Sequence, residues 1–179
     1  MTSESIDRDL LLDGWRFCPR CAGGLEFLDV GGLPRPRCPA CGYLYFRNPG
    51  VGAATVVHDE RSRVLLVKRA DGRWCVPCGF CDWGEDVRAA AARECREESG
   101  IEVEIGDVLQ VASNFHDPEK PTVGVWFAAR AVGGRLQAGD DATDAGWFGL
   151  DDLPELAFPT DVMLFEALRQ SGGQGAAGP

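Results

Sequence analysis

The sequence predicts an α/β protein, a mixed sheet with helices on both faces, preceded by a small four-cysteine module. Three observations carry this. Short β-rich runs bounded by turn signals recur between residues 50 and 148. Two stretches, 86–99 and 160–169, have helical composition or spacing instead. Ahead of them stand two C-x-x-C pairs. A chain of 179 residues suffices for one medium domain and a small appendage, whereas two full domains would be cramped.

Taken in order, residues 1–14 hold the cluster Leu10-Leu11-Leu12 without a clear period and are expected to be a flexible N-terminus. Cys18-Pro19-Arg20-Cys21 and Cys38-Pro39-Ala40-Cys41 come next, with 16 residues between them. Each tight turn presents two thiolates, and four complete a tetrahedron. Residues 15–46 therefore read as a Cys₄ zinc ribbon with Cys18, Cys21, Cys38 and Cys41 as ligands. With no open coordination position that zinc is structural, and in so small a segment it supplies much of the folding energy. The glycine pairs 23–24 and 31–32 around Leu25, Phe27, Leu28 and Val30 suit a short hairpin.

Residues 47–170 form the main domain in this reading. The runs 51–57 and 63–69 predict a hairpin turning through 58–62, and 74–77 a further short strand. Runs 101–111 and 123–132 alternate well enough to be strands, joined by a polar loop, 112–122, stiffened by Pro118 and Pro121. A turn at Gly133-Gly134, a strand around Trp147-Phe148 and a short helical segment from Asp151-Asp152 follow. The last helix, 160–169, carries Val162, Leu164, Phe165 and Leu168 at near-helical spacing. Residues 171–179 are rich in Gly and Ala and read as a disordered tail.

Composition narrows the classes of function. Hydrophobic content of 45% and charged content of 26% are ordinary for a globular protein, and no apolar run approaches the ~20 residues that span a bilayer. The first residues mix acids with one arginine and lack a basic start followed by a long apolar stretch, so a cytoplasmic setting is expected. The formal charge of −10 argues against a nucleic-acid partner, because phosphate backbones bind clustered Lys and Arg. A small phosphorylated substrate remains compatible if metal ions screen the carboxylates. Eight cysteines, four of them in C-x-x-C pairs, fit metal binding in a reducing compartment better than a disulfide framework.

The chemistry concentrates between Trp74 and Ile101. Residues 86–99 lack Gly and Pro and are rich in Ala, Arg and Glu, so a helix is expected with Asp86 as N-cap and Gly100 as its stop. At about 100° per residue, Glu94, Glu97 and Glu98 share one face, with Arg93 at its border. Such a cluster repels itself and suits a hard divalent cation. Gly79, Glu85, Arg93-Glu94, Glu97-Glu98 and Gly100-Ile101 also fall at fixed offsets over 23 positions. They match the Nudix box, Gly-x5-Glu-x7-Arg-Glu-U-x-Glu-Glu-x-Gly-U with U aliphatic, and the chain resembles the Nudix hydrolases. Cys95 replaces the first U and is expected to act as a small buried hydrophobe. Just before the box, Pro77-Cys78-Gly79 stands where the family commonly has Pro-Gly-Gly. A strained Cys78 or a reshaped turn is expected there if that glycine needs an angle other residues avoid.

The resemblance implies an α/β/α sandwich that hydrolyses a diphosphate linkage with Mg²⁺ or Mn²⁺. Glu94, Glu97 and Glu98 would hold one to three ions, with the Gly79 carbonyl a further ligand, Arg93 orienting the glutamates and Glu85 supporting them. It leaves the general base open among Glu94, Glu98, Glu119, Asp141 and Asp144. Arg47 and Arg69 are candidate phosphate clamps, and Phe115 and His116 candidate substrate contacts, each weighed against an ordinary surface role. Cys75, Cys78 and Cys81 are spaced like part of an iron–sulfur run, yet lie where the box already needs a strand and a turn. They read as packing residues. A zinc ribbon ahead of this box is the layout of NADH pyrophosphatases, but nothing like their SQPWPFPxS array follows Ile101. The shorter layout, with the segment Leu156-Ala157-Phe158-Pro159-Thr160, resembles zinc-ribbon Nudix proteins that act on ADP-ribose or FAD, and this resemblance implies ADP-ribose or a similar compound such as FAD as the substrate. The alternatives are NADH or (d)NTP hydrolysis, a non-catalytic nucleotide sensor, and a zinc-ribbon adaptor. A homodimer is implied by resemblance only.

Overall fold

The computed structural model describes residues 8–12 and 14–170. The chain divides into two units, Met1–Pro49 and Gly50–Pro179. The expectations of flexibility for residues 1–7 and 13, and of disorder for 171–179, lie outside the described residues.

In the first unit a short helix, α1 (Arg8–Leu12), precedes the hairpin β1 (Glu26–Val30) and β2 (Leu33–Arg37). Val30 pairs with Leu33, leaving a two-residue turn whose Gly31 and Gly32 both have positive φ, 65° and 82°. Glycine occupies such angles without steric cost. The Gly32 N–H donates to Asp29 Oδ1 at 3.0 Å, closing the turn. Pro34 and Pro36 are tolerated in β2 because a two-stranded sheet has only edge strands, and on its outer side the Pro36 carbonyl still accepts from the Tyr45 N–H at 2.8 Å. The aromatics beyond the second cysteine pair find partners in the same unit: Tyr43 under Arg20, Tyr45 against Trp15 and Phe46 under Arg35.

The second unit runs β3 (Gly50–His58), β4 (Val64–Lys68), β5 (Trp74–Cys75), β6 (Cys78–Phe80), α2 (Val87–Ser99), β7 (Ile101–Asn114), β8 (Thr122–Gly134), β9 (Asp144–Phe148) and α3 (Pro159–Gln170). The sheet order is β5-β4-β3-β8-β7, with β6 joined to β3 and β9 to β4. The β3–β8 pair is parallel and the other pairs antiparallel, so the sheet is mixed.

Residues 53–57 of β3 are buried on both faces, which requires a layer on each side. Their alternation shows which layer lies where. Ala54 and Val56 pack with Leu164 and Phe165 of α3, together with Val64, Leu66 and Trp126. Ala53 packs with Ala90, Ala91 and Phe127, and Val57 with Leu65 and Cys95, so α2 covers the opposite face. This is the expected α/β/α sandwich. Asp161, at the start of α3 and only 1% exposed, accepts from Trp126 Nε1–H at 2.9 Å and Val76 N–H at 3.3 Å. It ties α3 to the sheet through groups that would otherwise be unpaired in the core.

Three expectations need correction. Gly133 and Gly134 are not a turn, because they pair with Glu102 and Ile101 and end β8. The loop between β7 and β8 is shorter than 112–122, because Ala112, Ser113 and Asn114 pair with Gly124, Val123 and Thr122 and carry the hairpin onward. Only residues 115–121 remain outside the strands. No helix starts at Asp151-Asp152; the Asp152 N–H closes on the Gly149 carbonyl at 3.0 Å as a turn. Pro154 leaves no N–H for a continuing helix there. Among the described residues no helix is long and apolar enough to cross a membrane.

Candidate active site

Helix α2 begins and ends where the residues dictate. Asp86 has an extended backbone, and its carboxylate accepts from the N–H groups of Arg88 and Ala89 at 2.9 and 3.3 Å. Gly100 closes the helix at φ 71°, its N–H on the Arg96 carbonyl. The last carbonyls of a helix have no partner within it. Here Gly139, Gln137 and Arg135 donate to the carbonyls of Glu98, Ser99 and Gly100 at 3.1, 2.9 and 3.1 Å. The chain after β8 is thereby strapped to the end of α2, and Asp140 and Asp141 follow directly.

Along α2, Ala90, Ala91 and Cys95 face the sheet. Cys95 is fully buried beside Val57, Leu65 and Ile101, in the aliphatic role expected of it. Glu94 and Glu98 are also buried, at 9% and 4% exposure, toward β6 rather than into the apolar core. Gly79 shows why: a Cβ there would lie 2.1 Å from Glu94 Cδ. Glycine is required by the carboxylate it makes room for. Glu98 lies beside the neighbouring residue, its Oε2 accepting from the Cys78 N–H at 2.8 Å. Cys78 is paired with Ala54 in β6 and has no positive φ, so the expected strain is absent. The reshaped segment is an ordinary strand.

Arg93 organises the acidic face. Its Nε–H and an Nη2–H donate to the two oxygens of Glu85 at 2.8 and 2.9 Å. Nη1 donates to Glu94 at 2.7 Å and Glu97 at 3.0 Å, and Nη2 also reaches the Phe80 carbonyl at 3.0 Å. These contacts use all five guanidinium donors. The Arg93 hydrogen bonds hold the Glu85 carboxyl down at about 2, helped by the Asp82 N–H. Glu94 is raised, because burial outweighs its bond to Arg93. Glu98 is pushed up to about 8 by burial, against the pull of the Cys78 N–H and with Asp141 and Glu94 adding repulsion. Two carboxyls that resist ionisation in the free protein therefore sit side by side on one face. A divalent cation with oxygen ligands is what would make both anions favourable.

Of the other candidates, Asp141 comes within electrostatic reach of Glu98 and Arg69. Asp144 begins β9 and accepts from the Ala145 N–H, while Glu119 lies in the β7–β8 loop. Arg69 stands over the Phe158 ring at 5.0 Å, with Cys75 and Cys78 within electrostatic reach. His116 shares a hydrogen bond with Asn114 at 2.7 Å and packs on Phe158 with ring centroids 5.1 Å apart. Phe115 is 64% exposed. Arg47 belongs to the first unit. Asp140, which the motif does not mark, has φ 52° and adds repulsion at Glu94. Phe158, whose ring meets Arg69 and His116, was given no role of its own from the sequence.

In the first unit the sulfur atoms of Cys18, Cys21, Cys38 and Cys41 all lie within 4.8 Å of one another. Cys18 and Cys41 are 3.6 Å apart, and Cys21 and Cys38 3.5 Å. Zinc held at ~2.3 Å by four tetrahedral thiolates sets sulfurs about 3.8 Å apart. The donor set and spacing fit that ion. Among the described residues no comparable group includes Cys75, Cys78 or Cys81. Cys75 is buried with Val67 and Ala157, with Cys78 packed beside them, and Cys81 packs against the α2 cluster.

A mixed sandwich with glutamates gathered on one helix around an arginine defines a hydrolase of the Nudix class. The chain belongs to that family: the NUDIX domain model matches residues 48–167. It is 32% identical over 136 residues to an ADP-ribose pyrophosphatase of Methanocaldococcus jannaschii, covering 73% of this chain and 80% of that one. It is 33% identical over 152 residues to the NAD-capped RNA hydrolase NudC of Chromobacterium violaceum, covering 82% of this chain. The match spans only 55% of that relative's length. A crystal structure of a NUDIX hydrolase from Nitrosomonas europaea superposes with a TM-score of 0.80 at 29% identity, covering 90% of this chain and 94% of that one.

The glycine at position 79 gives a direct test of this geometry. Gly79→Ala is expected to fold, because the Cβ meets the far end of a flexible side chain, but Glu94 must move aside. Loss of a placed carboxylate predicts a fall in kcat of about a hundredfold or more. A melting curve and a kinetic assay on the same preparation check both halves.

Proposed function

We propose that the chain is a Mg²⁺- or Mn²⁺-dependent pyrophosphohydrolase. Its substrate is a nucleoside diphosphate joined to a second moiety, ADP-ribose or a similar compound such as FAD. The observation that carries this reading is Glu98, buried, raised to about 8 and flanked by further acids, with the Cys78 N–H as its hydrogen-bond donor. Such a carboxyl needs either a proton or a cation. Glu94, Glu97 and Glu98 are the residues that would hold the ion. The chemistry it supplies when bound is neutralisation of phosphate oxygens and a lowered pKa for water.

The side chains do the positioning. Arg93 fixes Glu85, Glu94 and Glu97 at once, so the carboxylates meet the ion without reorganising. Asp141, beside Glu98, is the candidate base that the fold supports best. The four cysteines, in residues 15–46, hold a structural Zn²⁺, and reduced thiols suit a cytoplasmic setting. ADP-ribose is favoured by the Methanocaldococcus relative, which aligns over most of its own length, and by the missing SQPWPFPxS array. The NudC match favours NADH or an NAD-capped end as the second reading.

A panel of ADP-ribose, FAD, NADH, dinucleoside polyphosphates and dNTPs with Mg²⁺, followed by ³¹P NMR, tests the proposal. Release of a nucleoside monophosphate from ADP-ribose or FAD is expected. No turnover of any member would contradict it.

The Glu98 carboxyl also sets a pH dependence. Its value is raised from 4.5 to about 8, so between those values the folded, cation-free chain keeps a proton that the unfolded chain has lost. This contribution to stability therefore falls as pH rises through that window and levels off above it. Asp161, raised from 3.8 to about 6 by burial, acts with the same sign over a lower range. Cation binding must displace the Glu98 proton, so apparent Mg²⁺ affinity should rise about tenfold per pH unit from pH 6 toward 8, then flatten. Calorimetric titrations at pH 6, 7, 8 and 9 check the slope.

A further inference from the structure

The two arginines near the acidic face are used differently. Arg93 spends all five donors on Glu85, Glu94, Glu97 and the Phe80 carbonyl. Arg69, which follows β4, lies on the Phe158 ring at 5.0 Å, with Cys75, Cys78 and Asp141 within electrostatic reach. Among the described residues its guanidinium makes no ion pair, which leaves N–H groups open to an anion, and it stands close enough to Glu98 to oppose that residue's rise. Phe158 is half-buried, packed on one side against Val67, Cys75 and Ala157. His116, from the β7–β8 loop, meets the same ring at 5.1 Å and 53°. Its Nδ1 faces Asn114 Oδ1 at 2.7 Å; an amide oxygen only accepts, so Nδ1 carries the proton and Nε2 is left without a partner among the described residues.

Three distant stretches of sequence therefore bring a guanidinium, an aromatic ring and an imidazole to one edge beside the carboxylates. Each has a flat face, and flat cationic or aromatic groups stack on planar heterocycles. We propose that Phe158, flanked by Arg69 and His116, is the subsite for a planar heteroaromatic ring of the substrate, with Arg69 also holding the phosphate adjoining it. This deepens the proposed function and rests on it for the identity of the ligand, a nucleoside diphosphate. Phe158 is then a specificity-determining residue that touches no reacting atom.

The test is calorimetric titration of the full chain with ADP-ribose and, separately, with ribose 5-phosphate, in buffer without added Mg²⁺ or Mn²⁺. Phe158→Leu keeps the apolar packing and removes the ring face. It is expected to weaken ADP-ribose at least about tenfold and ribose 5-phosphate less than about twofold, in the range of one lost base stack. Arg69→Gln is expected to weaken both ligands, and Phe158→Ala to repeat the leucine result on binding while lowering the melting temperature through lost packing. If the wild type binds ADP-ribose no more tightly than the two Phe158 variants, or if those variants lose both ligands equally, the subsite is overturned. The titration needs no turnover. Phe158-dependent ADP-ribose binding in a protein that hydrolyses nothing would overturn the hydrolase reading and uphold the subsite.

Discussion

Glu98→Gln is expected to lower kcat on the best substrate of the panel about a thousandfold, the loss anticipated when a catalytic metal forfeits a principal ligand. The variant should fold. A glutamine oxygen can still accept from the Cys78 N–H now bound to Glu98 Oε2 at 2.8 Å, and the side chain keeps its volume in a site only 4% exposed. Moreover, the amide never ionises. Without added cation at pH 8 or above, the variant should melt at the same temperature as the wild type or higher, because the raised carboxyl costs stability there. Lower activity with equal or greater cation-free stability separates a ligand role from a packing role. A kcat within about tenfold of wild type would exclude Glu98 from the metal site.

Removing zinc from the first unit should have an effect as large, on folding rather than rate. Among described residues 8–49 only Cys18, Pro34, Pro36 and Cys38 are buried. That is too little apolar burial to offset the entropy of ordering the segment. Structural zinc in small domains contributes about 10–16 kcal/mol, which makes the ion the main source of stability here. Cys38→Ala removes a fully buried ligand. The expected result is loss of one equivalent of zinc and rapid proteolysis within residues 15–46, with the melting transition of the Nudix domain retained. Hydrogen exchange on the full chain would show the same boundary. Full protection of residues 15–46 in a zinc-free variant would contradict the assignment.

Much of this was legible in the sequence because it is local. Asp86 and Gly100 delimit α2 through their own side-chain and backbone preferences. The two cysteine pairs needed only a hairpin between them to meet, and Gly31-Gly32 supplied its turn. Residues set by long-range packing were not legible. Asp141 was one candidate base among five and Asp140 had no assigned role; only the strap from Arg135 to Gly139 along the end of α2 carries them to the glutamates. Phe158 is adjacent to Arg69 and His116 solely because three segments converge. The strand ends at Asn114 and Thr122 were likewise misjudged, since the polar pair is held by the ladder rather than by its own propensity. Arg93 was marked by the box, but its five-donor arrangement depends on Glu85 folding back from the loop before the helix.

The most direct measurement is the binding of Mn²⁺ at pH 8.5, followed by electron paramagnetic resonance on zinc-loaded wild type and Glu98→Gln. Glu98, buried with the Cys78 N–H as its hydrogen-bond donor and with Glu94 and Asp141 adding repulsion, should help take up at least one Mn²⁺ in the wild type, and the variant should lose it. Equal uptake by the two proteins, or none by either with ADP-ribose present, would contradict the claim that this helix face is built around a divalent cation.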